Sequence, residues 1–129
     1  DAYNKRGTMR AAMGDIQGAM AEFDDALRND PNFTDAYYNR GLAHAQTGNL
    51  QGAIADYNQA IERNPLLAEA YGNRGFVHHR LGNKAEAIAD LQKAAQLFSE
   101  QRNPAGYRQT LTYIHMVQQS PTANPSMQP

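Results

Sequence analysis

The histidines are the residues whose type is best suited to metal or acid–base chemistry, and their spacing predicts neither. His78 and His79 are adjacent, so they point to different faces of a helix and are poorly placed to share one metal ion. His44 lies 34 residues before His78, and Arg10 lies 34 residues before His44. We interpret these positions as amphipathic residues at the edge of a core. Because the chain also has no cysteine, it has no thiolate ligand, and we expect no metal site.

No set of residues indicates catalysis or cofactor binding. The acidic residues are scattered, and no two of them stand out as an acid and a base facing one pocket. Gly7 and Gly14 lie inside a helical pattern and not at a strand-to-helix turn, so they do not form a phosphate-binding loop. We therefore expect no catalytic residue, no cofactor and no enzymatic activity.

Charge and length limit the classes of partner. The chain has 129 residues, 41% of them hydrophobic, which is enough for one compact domain or a short repeat array. Its formal net charge is −1 and both signs are interspersed, which argues against nucleic acid or a membrane surface as partner. No apolar run is long enough for membrane insertion. Since the chain opens at Asp1 without a signal segment, we interpret it as a piece of a longer protein. The absence of cysteine is compatible with the cytosol, and we expect a cytoplasmic location.

The sequence contains a pattern that recurs every 34 residues. Each unit has an Ala-Tyr pair, an Arg-Gly pair and a later glycine at equivalent places. The aligned positions are Ala2, Ala36 and Ala70; Tyr3, Tyr37 and Tyr71; Gly7, Gly41 and Gly75; and Gly14, Gly48 and Gly82. This pattern predicts two helices in each unit, separated by the later glycine. The second helix is expected to begin after an N-cap at Asp15, Asn49 or Asn83 and to end near Pro31 or Pro65.

The spacing of Gly, Gly, Ala, aromatic residue, Ala and Pro resembles the tetratricopeptide repeat (TPR) over about residues 1–102. The segments 39–41 and 73–75, both Asn-Arg-Gly, are similar to a variant common in bacterial and especially cyanobacterial proteins. The resemblance implies an all-α fold, a right-handed superhelix of three helix-turn-helix repeats plus a C-terminal capping helix. We assign the repeats to residues 1–34, 35–68 and 69–102.

Residues 103–119 are predicted to form the capping helix, which a solenoid needs to cover its last apolar face. Asn103 is a suitable N-cap with Pro104 in the first turn, and an apolar stripe follows at helical spacing. The members of that stripe are Tyr107, Leu111 and Ile114. Because Ser99 replaces the closing proline of the third repeat, its second helix should run on to about Glu100 or Gln101.

Residues 120–129 contain three prolines and no apolar periodicity, which is typical of an extended tail. We predict that this tail lies against a first-helix surface, that of a neighbouring copy rather than its own. The alternatives are a linker and a fortuitous contact elsewhere.

One repeated charge pattern is expected to be architectural. Arg6, Arg40 and Arg74 on the first helices recur in step with Glu22, Asp56 and Asp90 on the second helices. An arginine at a helix–helix seam is costly unless a carboxylate meets its guanidinium. We therefore expect a buried ladder of ion pairs.

The resemblance implies that the first helices build a concave binding wall. The exposed face of these helices is poor in charge and mixes amides with apolar side chains, which suits an extended peptide. The predicted peptide-binding residues are Asn4, Lys5, Thr8, Tyr38, Asn39, Leu42, Gln46, Asn73, Phe76, His79 and Arg80. Asn39 and Asn73 are similar to an asparagine ladder that grips a peptide backbone, which Lys5 interrupts in the first repeat.

The clamp with which some relatives hold an acidic chaperone C-terminus is not expected. It requires Lys, Asn, Asn, Lys and Arg where this chain has Asn4, Thr8, Asn39, Glu69 and Asn73. Glu69 would repel a carboxylate. We therefore expect a scaffold for another protein or peptide. The alternative is a self-association module of a larger parent protein, which would form homo-oligomers through the uncapped N-terminal repeat.

Overall fold

A computed structural model describes residues 1–121, and within them the chain forms seven α-helices and no strand. The helices are α1 (Ala2–Ala12), α2 (Ile16–Asn29), α3 (Thr34–Gln46), α4 (Leu50–Arg63), α5 (Ala68–Arg80), α6 (Lys84–Glu100) and α7 (Pro104–Gln119). The predicted all-α fold of three helical hairpins followed by one further helix is confirmed. The predicted contact of the tail concerns residues 120–129, of which residues 122–129 lie outside the described residues. In the part of the chain described, no helix has the length and apolar character to cross a membrane.

The turn inside each hairpin has the predicted chemistry in the first two repeats. Gly48 has φ +82, a left-handed conformation that glycine adopts without strain, and the other two turn glycines are similar. Asp15 and Asn49 then cap the next helix, since their side chains accept hydrogen bonds from Gly18 N at 2.9 Å and Gly52 N at 3.0 Å. The hydrogen bond from Gly18 lowers the pKa of Asp15.

The third repeat departs from this prediction. Asn83 precedes α6, but its side chain makes no capping hydrogen bond and lies 3.3 Å from His78 Nδ1. A Cβ at Gly52 would come within 2.6 Å of the Asn49 side chain. The third repeat also differs at this position, where Glu86 replaces the glycine of the first two repeats.

The chain divides into two compact units, residues 1–65 with α1–α4 and residues 66 onward with α5–α7. Each unit has its own buried core of alanines and a few large side chains. In the first unit the core residues are Ala19, Phe23 and Ala43, together with Ala26, Leu27 and Ala36. In the second they are Ala87, Leu91, Ala95, Ile114 and Val117, together with Ala68, Ala94, Leu97 and Phe98.

Glycine permits the close approach of the two helices in a hairpin. A Cβ on Gly41 would lie 2.7 Å from the ring of Tyr57, and one on Gly75 would lie 3.0 Å from the carbonyl oxygen of Ala87. A side chain at either position would push the helices apart. The predicted packing role of these glycines is therefore confirmed.

Helix α7 packs on α6 as a capping helix should, but with a different face from the predicted one. Ile114 is buried as expected, whereas Tyr107 and Leu111 are 37% and 42% exposed. The buried face consists of Thr110, Ile114 and Val117. An apolar pattern overlooks Thr110, whose hydroxyl is satisfied by donating to the Gly106 carbonyl oxygen at 2.7 Å.

Candidate functional site

The first unit has a small cleft of about 200 Å³. It is lined by Thr8, Ala11, Phe23, Asn39, Leu42, Ala43 and Gln46. The two walls come from α1 and α3, and the buried Phe23 of α2 contributes to the lining. Four of the predicted binding residues, Thr8, Asn39, Leu42 and Gln46, are thereby brought together. None of the described residues that line this cleft is charged.

Asn39 links the two walls of this cleft. Its Nδ2 donates to Asn4 Oδ1 at 3.1 Å, across from α3 to α1. The Thr8 hydroxyl donates to the carbonyl oxygen of Lys5 at 2.8 Å, while the Lys5 side chain is exposed and does not line the cleft. The predicted set on α1 therefore divides into Asn4 and Thr8, which take part in the cleft or its bridge, and Lys5, which does not.

Tyr38 lies against the second helix of its own repeat. Its ring centroid is 6.0 Å from that of Tyr57, a fully buried tyrosine of α4. Burial raises the pKa of Tyr57, with smaller contributions from Tyr38 and Asp56. Tyr38 therefore covers Tyr57 and does not line the cleft of its unit.

The second unit has a larger cleft of about 550 Å³. Its walls are one face of α5 and one face of α7, each with residues at spacings of three, four and seven, and α6 adds apolar residues. The lining residues are Glu69, Gly72, Asn73 and Phe76 of α5; Leu91 and Phe98 of α6; and Gln109, Thr110, Thr112, Tyr113 and Met116 of α7.

Two predicted binding residues, Asn73 and Phe76, line this second cleft. Asn73 Nδ2 donates to the carbonyl oxygen of Glu69 at 2.9 Å, one turn earlier in α5. Phe76 is 43% exposed, and its ring centroid lies 5.4 Å from that of Tyr113 on α7. Partial burial raises the pKa of Tyr113. The contribution of α7 was missed by the sequence prediction, although the spacing of Gln109, Thr112 and Met116 indicates one helical face.

His79 and Arg80 line neither described cleft. The two ring nitrogens of His79 lie 3.2 Å from the Tyr113 hydroxyl and 3.3 Å from the Ser120 hydroxyl. Lys84 Nζ donates nearby to the carbonyl oxygen of Ser120 at 2.8 Å. His79 thus helps to fix the end of α7, a contact that no repeat pattern could indicate because α7 has no equivalent in the repeats.

The arginine ladder holds each first helix on its second helix, as predicted. Arg40 contacts both carboxylate oxygens of Asp56 at 2.8 Å, and Arg74 contacts those of Asp90 at 2.8 and 2.7 Å. These hydrogen bonds raise the pKa of both arginines. The pairs lie within one repeat, and Arg40 also reaches Asp24 Oδ1 at 3.0 Å.

The first pair is the weaker member of the ladder. Arg6 Nε donates to Glu22 Oε2 at 3.0 Å, but the arginine side chain is 52% exposed. The Arg40 side chain is 24% exposed and that of Asp56 is 6% exposed. The prediction of a buried ladder is therefore correct for the second and third repeats and wrong for the first.

His44 and His78, at equivalent positions of the second and third repeats, lie beside the same arginine–aspartate pairs. His44 Nε2 lies 3.5 Å from Asp56 Oδ2, and its Nδ1 lies 3.2 Å from Asn49 Nδ2. His78 Nε2 lies 3.9 Å from Asp90 Oδ2. Among residues 1–121 no group of three or more histidines and carboxylates is placed to hold a metal ion.

Comparison with known proteins agrees with this architecture. Two family models, both described as tetratricopeptide repeat, match residues 4–66 and 68–100. No curated protein matches the chain. The solved structures that match include the TPR2B domain of yeast Sti1 in complex with an Hsp70 peptide, with a TM-score of 0.87 and 24% sequence identity over 92% of this chain and 94% of that one.

Two further structures resemble the chain at lower identity. The first TPR of Spaghetti (RPAP3), bound to the HSP90 peptide SRMEEVD, has a TM-score of 0.83 and 20% identity over 92% of this chain and 89% of that one. The Yersinia enterocolitica type III secretion translocator chaperone SycD has a TM-score of 0.86 and 14% identity over 91% and 81%. The structures show the same fold, and the family models identify the repeats. The chain belongs to the tetratricopeptide-repeat family.

Proposed function

We propose that this chain is a non-enzymatic protein-interaction module that holds an extended segment of a partner protein on the faces of its first helices. The observation that carries the proposal is the first-unit cleft, where Thr8, Asn39, Leu42 and Gln46 line one concave surface. The sequence predicts that each of these four residues binds a peptide. The remaining members of the predicted set stay predictions.

The chemistry of this cleft suits a neutral extended segment. The amides of Asn39 and Gln46 both donate and accept hydrogen bonds, as a peptide backbone without secondary structure requires. Leu42 and Phe23 offer apolar contact to its side chains. With a small cleft and few anchors, we expect an affinity near the micromolar level, about −8 kcal/mol.

The structural neighbours favour this class of function. The Sti1 and RPAP3 domains are seen with peptides of Hsp70 and HSP90, so the fold can present a peptide-binding surface. We expect a different ligand for this chain because it has Glu69 and Asn73 where a clamp for acidic C-termini has basic residues. Glu69 would repel the carboxylates of such a ligand.

The proposal can be tested with peptides selected on the immobilised protein from a random-peptide display library. Each of Asn39→Ala and Gln46→Ala should weaken the selected peptides about fivefold, because each removes a hydrogen bond worth about 1 kcal/mol. Gln17→Ala, on the exposed surface of α2, is the matched control and should leave affinity unchanged. Equal affinity for all three variants would contradict the proposal.

Self-association remains a second candidate because two large apolar side chains near the C-terminal end of α1 are exposed. Met9 and Met13 are 64% and 81% exposed, whereas Ala43, the equivalent of Met9 in the second repeat, is buried against Ala19 and Phe23. Copies joined through this surface would form dimers in light scattering, and Met9→Lys would dissociate them. A monomer at high protein concentration would exclude this candidate.

A further inference from the structure

We propose that the cleft of the second unit is a pocket for one large apolar side chain of the partner, flanked in the partner by a lysine or arginine. This inference rests on the proposed function and names the residue class that the module would select. It starts from a difference between equivalent positions of the second and third repeats. Tyr38 and Tyr57 of the second repeat correspond to Gly72 and Leu91 of the third.

In the second repeat this place is filled by the protein itself. The ring of Tyr38 covers Tyr57, with the centroids 6.0 Å apart. In the third repeat Gly72 has no side chain, and Leu91 is smaller than the tyrosine that it replaces. Both residues line the 550 Å³ cleft. The cleft therefore occupies the place where the preceding repeat has its own aromatic ring.

Packing does not explain the glycine at position 72. Among residues 1–121, a Cβ added there would meet only the Cβ of Ala94, at 3.7 Å, which is ordinary contact. In contrast, a Cβ at Gly75 would lie 3.0 Å from a backbone oxygen. Glycine weakens a helix interior relative to alanine, so Gly72 costs stability without relieving a clash. Its effect in this structure is to leave the cleft open.

The shape and lining of the cleft suit an apolar side chain. Leu91 and Phe98 are buried residues of α6, and the facing rings of Phe76 and Tyr113 lie 5.4 Å apart. Met116 of α7 is 50% exposed and can adapt to different shapes. The cleft volume falls within the range of about 300–1,000 Å³ that is usual for ligand pockets.

The charge of the cleft indicates what should flank that side chain. Glu69 is the single charged residue among the described residues that line it, and within residues 1–121 it has no ion pair. A lysine or arginine next to the inserted side chain would complement Glu69, and a glutamate would be repelled. An exposed pair of this kind is expected to change affinity only about two- to fivefold.

Three blocked dipeptides provide the probes, namely acetyl-Phe-Lys-amide, acetyl-Phe-Glu-amide and acetyl-Ala-Lys-amide. We expect the two phenylalanine probes to shift the backbone amide NMR signals of Gly72, Gln109 and Thr112 saturably, with the lysine form about two- to fivefold tighter. The alanine probe should give no saturable shift. Absence of saturable shifts at these residues with the phenylalanine probes would overturn the proposal.

Variants at two positions separate the pocket from its charge. Gly72→Tyr should abolish the shifts by restoring the ring that the second repeat has, whereas Gly72→Ala should retain them and raise the melting temperature. Glu69→Gln should keep phenylalanine binding and remove the preference for lysine. Unchanged binding by Gly72→Tyr would overturn the proposal. The pocket proposal could be overturned in this way while display-selected peptides still depended on Asn39 and Gln46. In that case the proposed function would stand without this pocket.

Discussion

The second and third repeats share a hairpin scaffold but differ on the exposed face of their first helices. In both repeats an arginine of the first helix contacts two carboxylate oxygens of the second helix at 2.7–2.8 Å. On the exposed face, however, Tyr38 of the second repeat covers Tyr57, whereas Gly72 at the equivalent place lines the 550 Å³ cleft of the second unit. Repeated positions thus determine the hairpin, and positions that vary between repeats determine what a partner meets.

The largest effect on stability is expected for substitutions in α7, which lines the second described cleft and not the first. Ile114→Asp should lower the free energy of unfolding by about 4 kcal/mol or leave the protein insoluble, because it buries a carboxylate without a partner. Leu111→Asp, on the exposed face of the same helix, should change it by less than about 0.5 kcal/mol. Chemical denaturation of both variants measures the difference. Similar losses in the two would mean that α7 does not pack through Thr110, Ile114 and Val117.

A second test compares the stability contributions of the ion pairs that join the two helices of a repeat. Asp56→Asn should cost about 2 kcal/mol because it leaves the largely buried guanidinium of Arg40 without its bidentate partner. Glu22→Gln removes the equivalent carboxylate from Arg6, which is half exposed, and should cost less than about 1 kcal/mol. Thermal and urea unfolding would show the ranking. Equal costs would contradict the difference in burial between the first and second repeats.

The tyrosine pair that fills the second repeat predicts a loss of stability at alkaline pH. Because burial raises the pKa of Tyr57 above its unfolded value of about 10, the phenol stays protonated in the folded state while the unfolded state ionises. The stability is complete below pH of about 10 and then falls by up to about 1.4 kcal/mol for each pH unit. Above that pH, the Tyr57→Phe variant should lose less stability than the unmodified protein. An identical pH dependence of the two proteins would count against burial of the phenol.

The smallest effects are expected from alanine at two glycines. Gly41→Ala should lower the free energy of unfolding by about 1 kcal/mol, because its Cβ would meet the Tyr57 ring and outweigh the gain in helix propensity. Gly72→Ala should raise it by about 0.5 kcal/mol, because it gains propensity without a clash. Opposite signs in calorimetry would sharpen the distinction between a packing glycine and a cleft glycine, and a loss at both positions would remove it.

The features that the sequence predicts correctly are those encoded by local chemistry and repetition. The turn glycines, the caps at Asp15 and Asn49 and the Asn103-Pro104 start of α7 all depend on nearby residues. The errors arise where a feature is unique in the chain. Asn83 makes no capping hydrogen bond, although Asp15 and Asn49 at the equivalent positions do.

The candidate site was predictable only in part for the same reason. Thr8, Asn39, Leu42 and Gln46 follow from their repeat positions on the first helices. The role of His79 and the cleft wall on α7 do not, because no repeat precedes them as a template. A polar residue such as Thr110 also conceals the buried face of α7 from a pattern of apolar residues.

The most direct measurement maps a display-selected peptide onto the protein by amide NMR titration. The proposed function predicts that the largest shifts occur at Thr8, Asn39, Leu42 and Gln46, with no comparable shifts at Gln17 or Gln51 on the exposed surfaces of α2 and α4. Shifts confined to those second-helix residues, with the residues of the first-unit cleft unaffected, would contradict the assignment of peptide binding to the first helices.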